Sequence, residues 1–125
     1  MAGLTLDSGA LIAFERNHRP LILLLARNHE LGRSLAIPAG VVGQVWRDGR
    51  RQARLSRLLR MAEVEVVALD DRRARDAGQL CGVAGTADVI DASVVLCARA
   101  RGHHVVTSDP DDLRQLDQAV PLILA

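Results

Sequence analysis

The chain has 125 residues, 49% of them hydrophobic, and a formal net charge of +1, which predicts one folded globular domain over residues 1–125 and offers no global basic field for nucleic acid. The longest apolar run, residues 21–26, is too short to span a bilayer, and the N-terminal residues lack the pattern of a secretory signal, so we expect no membrane association. All sixteen basic residues are Arg, which excludes mechanisms that depend on a lysine, such as a P-loop or a Schiff base.

Short apolar segments alternate with longer amphipathic segments along the chain. Turn and cap residues separate them: Pro20 suits the first position of a helix, Gly32 and Gly102 suit helix ends, and Asp48-Gly49 interrupts a helical pattern. Strands are predicted at residues 4–6, 35–37, 64–69, 104–107 and 122–124. Helices are predicted at residues 10–17, 20–31, 39–47, 50–61, 71–82, 87–101 and 110–116.

This alternation predicts an α/β fold, a three-layer α/β/α sandwich with a central, mostly parallel sheet. In such a sheet, chemistry collects at the carboxyl ends of the strands, beside a topological switch point. Asp7 follows the first predicted strand and Asp109 follows the fourth. Both aspartates are therefore expected at the edge where a site would form.

Two further aspartates, Asp88 and Asp91, lie three residues apart in a predicted helix and face the same side. Two carboxylates about 4 Å apart repel by about 4 kcal/mol at an effective dielectric constant near 20. If Asp7 and Asp109 converge on the same point, a hard divalent cation such as Mg²⁺ would remove that repulsion. Each aspartate alone is explained as well by a helix cap or a first-turn position, but three segments converging on one edge favour a metal site.

Four segments resemble those of a PIN-domain ribonuclease, and more narrowly those of a VapC toxin from a bacterial toxin–antitoxin pair. The segments are LTLDSGALIA, IPAGVVGQVWRDG, DVIDASVVLCARARG and HVVTSDPDDL. Together they cover essentially the whole chain. The resemblance implies the α/β/α sandwich, Mg²⁺- or Mn²⁺-dependent cleavage of RNA, a homodimer and inhibition by a cognate antitoxin.

The resemblance also implies roles for individual residues. Asp7, Asp91 and Asp109 match the acidic positions of the family and would be catalytic metal ligands. A hydroxyl position that commonly supports the last acid is matched by Thr107 or Ser108. The supporting residues of the site are then Gln44, Thr107, Ser108 and Asp112.

One position departs from the pattern, since Gln44 in PAGVVGQVW stands where the family usually has a Glu. A neutral amide cannot act as a general base or offset the charge of a cation. The lost carboxylate is replaced either by Asp88, one helical turn before Asp91, or by Asp48, four residues beyond Gln44 on the same predicted helical face; otherwise metal binding is weakened and the protein is a poor enzyme. We favour Asp88 and count it with the catalytic metal ligands.

Binding of RNA requires basic contacts, because neutralisation of phosphates dominates its affinity. Candidate contacts are Arg47, Arg50, Arg54 and Arg57, the last three on one face of a predicted helix. A solvated face opposite buried leucines explains the same pattern equally well. With one Phe and one Trp there is little material for base stacking, so we expect recognition through phosphates and RNA shape.

Other polar and apolar features give weaker expectations. His103 and His104 are predicted at the entry of a strand, on opposite faces, and not as ligands. Without CxxC spacing, Cys81 and Cys97 are predicted to be buried free thiols in a reducing compartment, which indicates the cytoplasm. Residues 20–26, PLILLLA, exceed what one buried stripe requires, which predicts either a fully covered helix or an interface with a second copy or an antitoxin.

Three other classes of protein share part of this pattern. A catalytically inactive PIN-like module that binds RNA or protein is favoured by Gln44. A flavodoxin-like or receiver-like domain has the same alternation, but the absent lysine and the absent Gly-rich loop count against it. A DNA-directed nuclease would use the same chemistry, so only the resemblance favours RNA over DNA.

Overall fold

The computed structural model describes residues 2–125, and a sheet of five short strands lies at its centre. The strands are β1 (Leu4–Leu6), β2 (Leu35–Pro38), β3 (Val64–Val67), β4 (His104–Thr107) and β5 (Leu122–Leu124). The helices are α1 (Ser8–Glu15), α2 (Arg19–Glu30), α3 (Ala39–Val45), α4 (Ala53–Leu59), α5 (Asp71–Ala84), α6 (Val89–Arg101) and α7 (Pro110–Leu116).

The sheet has the strand order β3-β2-β1-β4-β5, and every neighbouring pair is parallel. The chain moves outward from β1 to β3 and then returns to the other side of β1, so the direction reverses between β1 and β4. A reversal of this kind leaves a crevice at the carboxyl ends of the two strands. Leu6 pairs with Val106, and this register sets Asp7 beside the end of β4.

Helices cover both faces of the sheet. On one face α1 packs against α2 and α4, and on the other α5, α6 and α7 pack together, while α3 contacts both α1 and α6. Between the layers lies an aliphatic core that includes the fully buried side chains of Leu6, Leu11, Ile37, Val94 and Val105. The predicted α/β/α sandwich is confirmed, and the sheet is parallel throughout.

The boundary between α3 and α4 differs from the sequence prediction, which placed helices at residues 39–47 and 50–61. The side chain of Gln52 ends α3 early, because its Oε1 accepts from the backbone N–H of Arg47 at 2.7 Å and of Asp48 at 3.0 Å. Its Nε2 donates to the carbonyl of Val45 at 2.9 Å and to the carboxylate of Glu15 on α1. One amide therefore satisfies three backbone groups and ties this turn to α1.

Two glycines end helices on the other face. Gly85 follows α5 at φ 76° and Gly102 follows α6 at φ 64°. This left-handed backbone conformation is less favourable for residues that have a Cβ atom. The α5 helix runs to Ala84, two residues beyond the predicted end, and α6 begins at Val89 rather than near Ala87.

His103 lies in a polar contact inside the fold, just before β4. It is 4% exposed, with its Nδ1 3.0 Å from the hydroxyl of Thr5 and its Nε2 2.9 Å from the hydroxyl of Ser34. Burial lowers the pKa of this imidazole. The contact joins β1, the segment before β2 and the segment before β4. His104 is exposed, so the two histidines face opposite sides as predicted.

The leucine-rich helix α2 is only partly covered, so of the two alternatives that the sequence leaves open, the fully covered helix is excluded. Leu21 is buried, Leu23 is 56% exposed, and the remaining leucines are half-buried. Both cysteines, Cys81 and Cys97, are buried and free, as predicted.

Across residues 2–125, no single helix has the length and apolar composition to cross a membrane. Only α5 and α6 taken together meet those criteria, as a pair with a bend of 107°.

Candidate functional site

Asp7 is the acid held most firmly at the carboxyl edge of the sheet. It follows β1, is 6% exposed, and caps α1 by accepting a hydrogen bond from the N–H of Ala10 at 2.9 Å. Burial raises the pKa of this carboxyl, while the hydroxyl of Thr107 and the backbone N–H groups that donate to it act in the opposite direction. The carboxylate of Asp7 thus both caps α1 and lies at the carboxyl edge of the sheet.

Thr107, the last residue of β4, links the acids of two strands. Its hydroxyl is fully buried, donates to Asp7, and accepts from the backbone N–H of Asp109 at 2.9 Å. The neighbouring Ser108 is exposed and lies against Gly9, where a Cβ atom would collide with the Ser108 hydroxyl. Of the two hydroxyls that the sequence left open, Thr107 is the one in contact with the acids.

Asp88 and Asp91 lie at the start of α6, as N-cap and third helical residue. The side chain of Asp88 accepts from the backbone N–H of Asp91 at 2.9 Å, so Asp88 does cap the helix. The carboxyl of Asp91 is half-buried, and its pKa is raised to about 7, first by burial and then by the charges of Asp88, Asp112 and Asp7. These four acids therefore act on one another electrostatically.

Asp109 and Asp112 form a second pair at the start of α7. Contact with the Asp109 carboxyl raises the pKa of Asp112. Asp109 occupies the N-cap position, but its side chain makes no capping hydrogen bond. The charge of Asp112 also contributes to the raised pKa of Asp91. Asp112 is predicted from the sequence only as a supporting residue, although its spacing of three residues from Asp109 indicates that the two share one helical turn.

The donors at this edge are all carboxylates, the ligands that a hard divalent cation prefers. Their mutual effects on pKa show that charge repulsion is present where such a cation would remove it. Within residues 2–125 no three His, Cys, Asp or Glu side chains converge tightly enough to form a closed metal site. The chemistry of the donor set fits a cation, and the side chains would have to turn toward one another to close around it.

Two further residues bear on the Glu that is missing from the family pattern, Gln44 and Asp48. Gln44 is exposed on α3. Asp48 lies outside α3 and pairs with Arg50 and Arg51, so the prediction that it shares a helical face with Gln44 is wrong. Asp88, by contrast, acts directly on Asp91.

The candidate RNA-binding arginines are dispersed. Arg50 lies in the turn before α4, so its predicted place on one helical face with Arg54 and Arg57 is wrong. Arg47 donates to the backbone carbonyls of residues 43 and 46. Arg54 and Arg57 line an apolar groove between α2 and α4, together with residues at the amino-terminal ends of β2 and β3. That groove lies at the opposite edge of the sheet from the acids.

The fold, the switch point and the acids at its carboxyl edge now define the class of the chain, a PIN domain. Residues 4–119 match the PIN domain family, and the chain belongs to it. No curated protein matches the sequence.

Several solved structures share the fold. VapBC2 from Rickettsia felis, bound to a DNA fragment from its promoter, is 15% identical with a TM-score of 0.71, covering 98% of each chain. DNA-bound VapBC from Salmonella typhimurium is 18% identical with a TM-score of 0.69, covering 99% of this chain and 98% of that one. FitAcB from Neisseria gonorrhoeae is 17% identical with a TM-score of 0.63, covering 96% of each chain.

Proposed function

We propose that this chain is a Mg²⁺-dependent endoribonuclease, the toxin of a toxin–antitoxin pair, which hydrolyses RNA phosphodiester bonds at the carboxyl edge of its sheet. The observation that carries the proposal is the electrostatic coupling of Asp91 with Asp88, Asp112 and Asp7 beside the switch point of a PIN domain. PIN domains are generally nucleases, which gives this cluster its most direct interpretation.

Asp7, Asp88, Asp91 and Asp109 would hold the cation, with Mn²⁺ as a substitute for Mg²⁺. When bound, a divalent cation lowers the pKa of a water and offsets charge on the phosphoryl oxygens. Asp7 is oriented before any ligand arrives, because Thr107 and the N-terminus of α1 fix its carboxylate. Asp91, whose pKa is about 7, can take up a proton near neutral pH.

Asp88 supplies the negative charge that Gln44 does not. Among the neighbouring acids, Asp88 acts most strongly on Asp91, because its charge is the largest contribution after burial to the raised pKa of that carboxyl. We expect Asp88→Asn to weaken metal binding sharply and Gln44→Glu to strengthen it modestly. Equal affinity for metal in Asp88→Asn and the wild type would remove Asp88 from the ligand set.

A protein partner is the second part of the proposal. Three structural neighbours are described as VapBC or FitAB assemblies bound to DNA, which supports a cognate antitoxin for this chain. The groove between α2 and α4 has a volume of about 280 Å³ and offers such a partner an apolar lining, which includes Phe14, Ile22, Leu25 and Leu58. A homodimer is also part of the proposal, from the resemblance of the sequence alone.

The test is RNA cleavage by the purified chain in Mg²⁺, in Mn²⁺ and in EDTA, beside Asp91→Asn. We expect cleavage that EDTA and the variant both abolish. Cleavage that survives chelation would contradict the metal mechanism. Cleavage of DNA but not RNA would keep the chemistry and replace the substrate.

A catalytically weak PIN-like module that binds RNA or protein is the second candidate. Two observations favour it: Gln44 replaces a carboxylate, and residues 2–125 contain no closed metal site. It predicts RNA or partner binding without cleavage, and no tight binding of Mn²⁺.

A further inference from the structure

A cleft of about 300 Å³ runs along the outer side of α1, from the acidic edge toward the far end of the helix. Its near end is formed by Gly9, two residues after Asp7, and by Ser108, which directly precedes Asp109. Ile12 lies in its middle, 39% exposed, and Arg16 and His18 lie at its far end. The cleft therefore connects the acids to a pair of basic residues.

The arginine at the far end of the cleft has no acidic partner among residues 2–125. Among residues 2–125, neither Arg16 nor His18 belongs to an ion pair. Four arginines line the larger cleft beside β3, of about 550 Å³, and three of them pair with acids: Arg73 with Asp70, Arg99 with Asp117 and Arg101 with Glu65. The fourth, Arg72, belongs to no ion pair among residues 2–125. The α1 side of the fold thus carries an arginine without an acidic partner in a cleft that begins beside the acids.

The backbone that carries the two basic residues is held in place. The N–H groups of Arg16, Asn17 and His18 donate to carbonyls of α1 at 3.0, 3.1 and 2.9 Å. Asn17 adopts φ 59°, and its side chain accepts from Arg54 at 2.6 Å. Because this backbone is already ordered, an anionic ligand that binds at Arg16 causes little further loss of backbone entropy, which favours binding.

We propose that this cleft, which we call the α1 cleft (Gly9, Ile12, Arg16, His18 and Ser108), carries the RNA strand on one side of the cleaved bond. The inference rests on the proposed nuclease function and adds the path that the bound RNA strand follows away from the acids. Arg16 contacts a backbone phosphate, and Ile12 supports a ribose or base by apolar contact. Gly9 keeps the entrance open, because a side chain there would meet Ser108.

Binding of fluorescently labelled single-stranded RNA by the Asp7→Asn chain tests the proposal without cleavage. Asn retains the capping role of Asp7, so the background variant keeps the fold. Into it we would place Arg16→Gln, and as the matched control Arg33→Gln, which makes the same change of charge just before β2 at the opposite edge of the sheet. Two RNAs of different sequence would be measured at several salt concentrations.

We expect Arg16→Gln to weaken binding about three- to tenfold for both RNAs and to reduce the salt slope by about 0.7, as loss of one phosphate contact on a single strand does. Arg33→Gln should leave affinity unchanged. A second pair of variants distinguishes loss of a contact in the cleft from the general effect of an added negative charge. Ile12→Glu should weaken RNA binding, and Leu31→Glu, at an exposed residue that follows α2, should weaken it less.

The outcomes separate the two proposals. RNA binding that Arg16→Gln and Ile12→Glu leave unchanged, or that the control variants weaken equally, would overturn the α1 cleft and leave the nuclease function standing. No binding of RNA by the Asp7→Asn parent, together with no cleavage of RNA by the wild type in Mg²⁺, would overturn both. No binding by the parent beside cleavage by the wild type would overturn the α1 cleft alone.

Discussion

Neutralising Asp91 should stabilise the metal-free protein at neutral and higher pH. The half-buried carboxyl has its pKa raised from 3.8 to about 7 by burial and by neighbouring acids, so the ionised form is disfavoured in the fold. Asn has nearly the same shape and no charge. The substitution Asp91→Asn therefore removes repulsion with Asp88, Asp112 and Asp7.

The magnitude follows from the size of that pKa change. From 3.8 to about 7 is about three pH units, and at about 1.4 kcal/mol per unit the upper limit is about 4 kcal/mol. Because the group is half exposed, solvent screening reduces the expected gain to about 1–2 kcal/mol.

The pH dependence has a defined sign. A carboxyl whose folded pKa is raised binds more protons in the folded state than in the unfolded state between about pH 4 and 7. Its contribution to stability is fully present below the unfolded pKa and is lost as pH rises through about 7. Asp91→Asn should thus match the wild type near pH 4 and exceed it at pH 8.

Urea denaturation in EDTA between pH 4 and pH 9 measures this difference, with Asp76→Asn as the control on an exposed residue of α5. The control should lie within about 0.5 kcal/mol of the wild type throughout. A variant Asp91→Asn that is less stable than the wild type at pH 8, or a difference that does not change with pH, would refute the electrostatic account of the acidic edge.

Three further predictions concern the stability of the fold. Thr107→Val should cost about 1–3 kcal/mol in urea denaturation, because it leaves the buried Asp7 without its hydroxyl donor and the N–H of residue 109 without its acceptor. The folded pKa of His103 is lowered from about 6.5, so the contribution of this imidazole to stability is present above pH 6.5 and is lost as the pH falls through the folded pKa. His103→Gln should flatten that part of the pH profile of stability. An unchanged profile would contradict this role of His103. Gly78→Ala and Gly82→Ala, where a Cβ meets nothing within 4 Å, should each raise stability by about 0.5–1 kcal/mol, and a loss in thermal denaturation would show that a close contact requires glycine there.

The layout of the fold was predictable because it depends on local patterns. Apolar runs of three to six residues between amphipathic segments indicated all five strands, and Gly102 ended α6 where the sequence indicated. Boundaries set by distant side chains were not predictable. The end of α3 depends on Gln52, which acts on backbone groups four to seven residues away and on Glu15 of α1.

The acids were predictable as a group, because parallel strands bring their carboxyl ends to one edge. Their individual environments were not. Nothing in the spacing showed that Thr107 rather than Ser108 would be buried against Asp7, since both follow the same apolar run. The sequence predicts His103 at the entry of a strand but not its contacts with Thr5 and Ser34, because both residues lie far away in the sequence.

The central claim is that the acids at the carboxyl edge form a site for a divalent cation, and calorimetric titration of Mn²⁺ tests it most directly. The samples are the wild type, Asp91→Asn, and Asp76→Asn as a control for charge. The account predicts binding by the wild type and the control and its loss in Asp91→Asn. Equal binding by all three proteins, or binding by none, would contradict it.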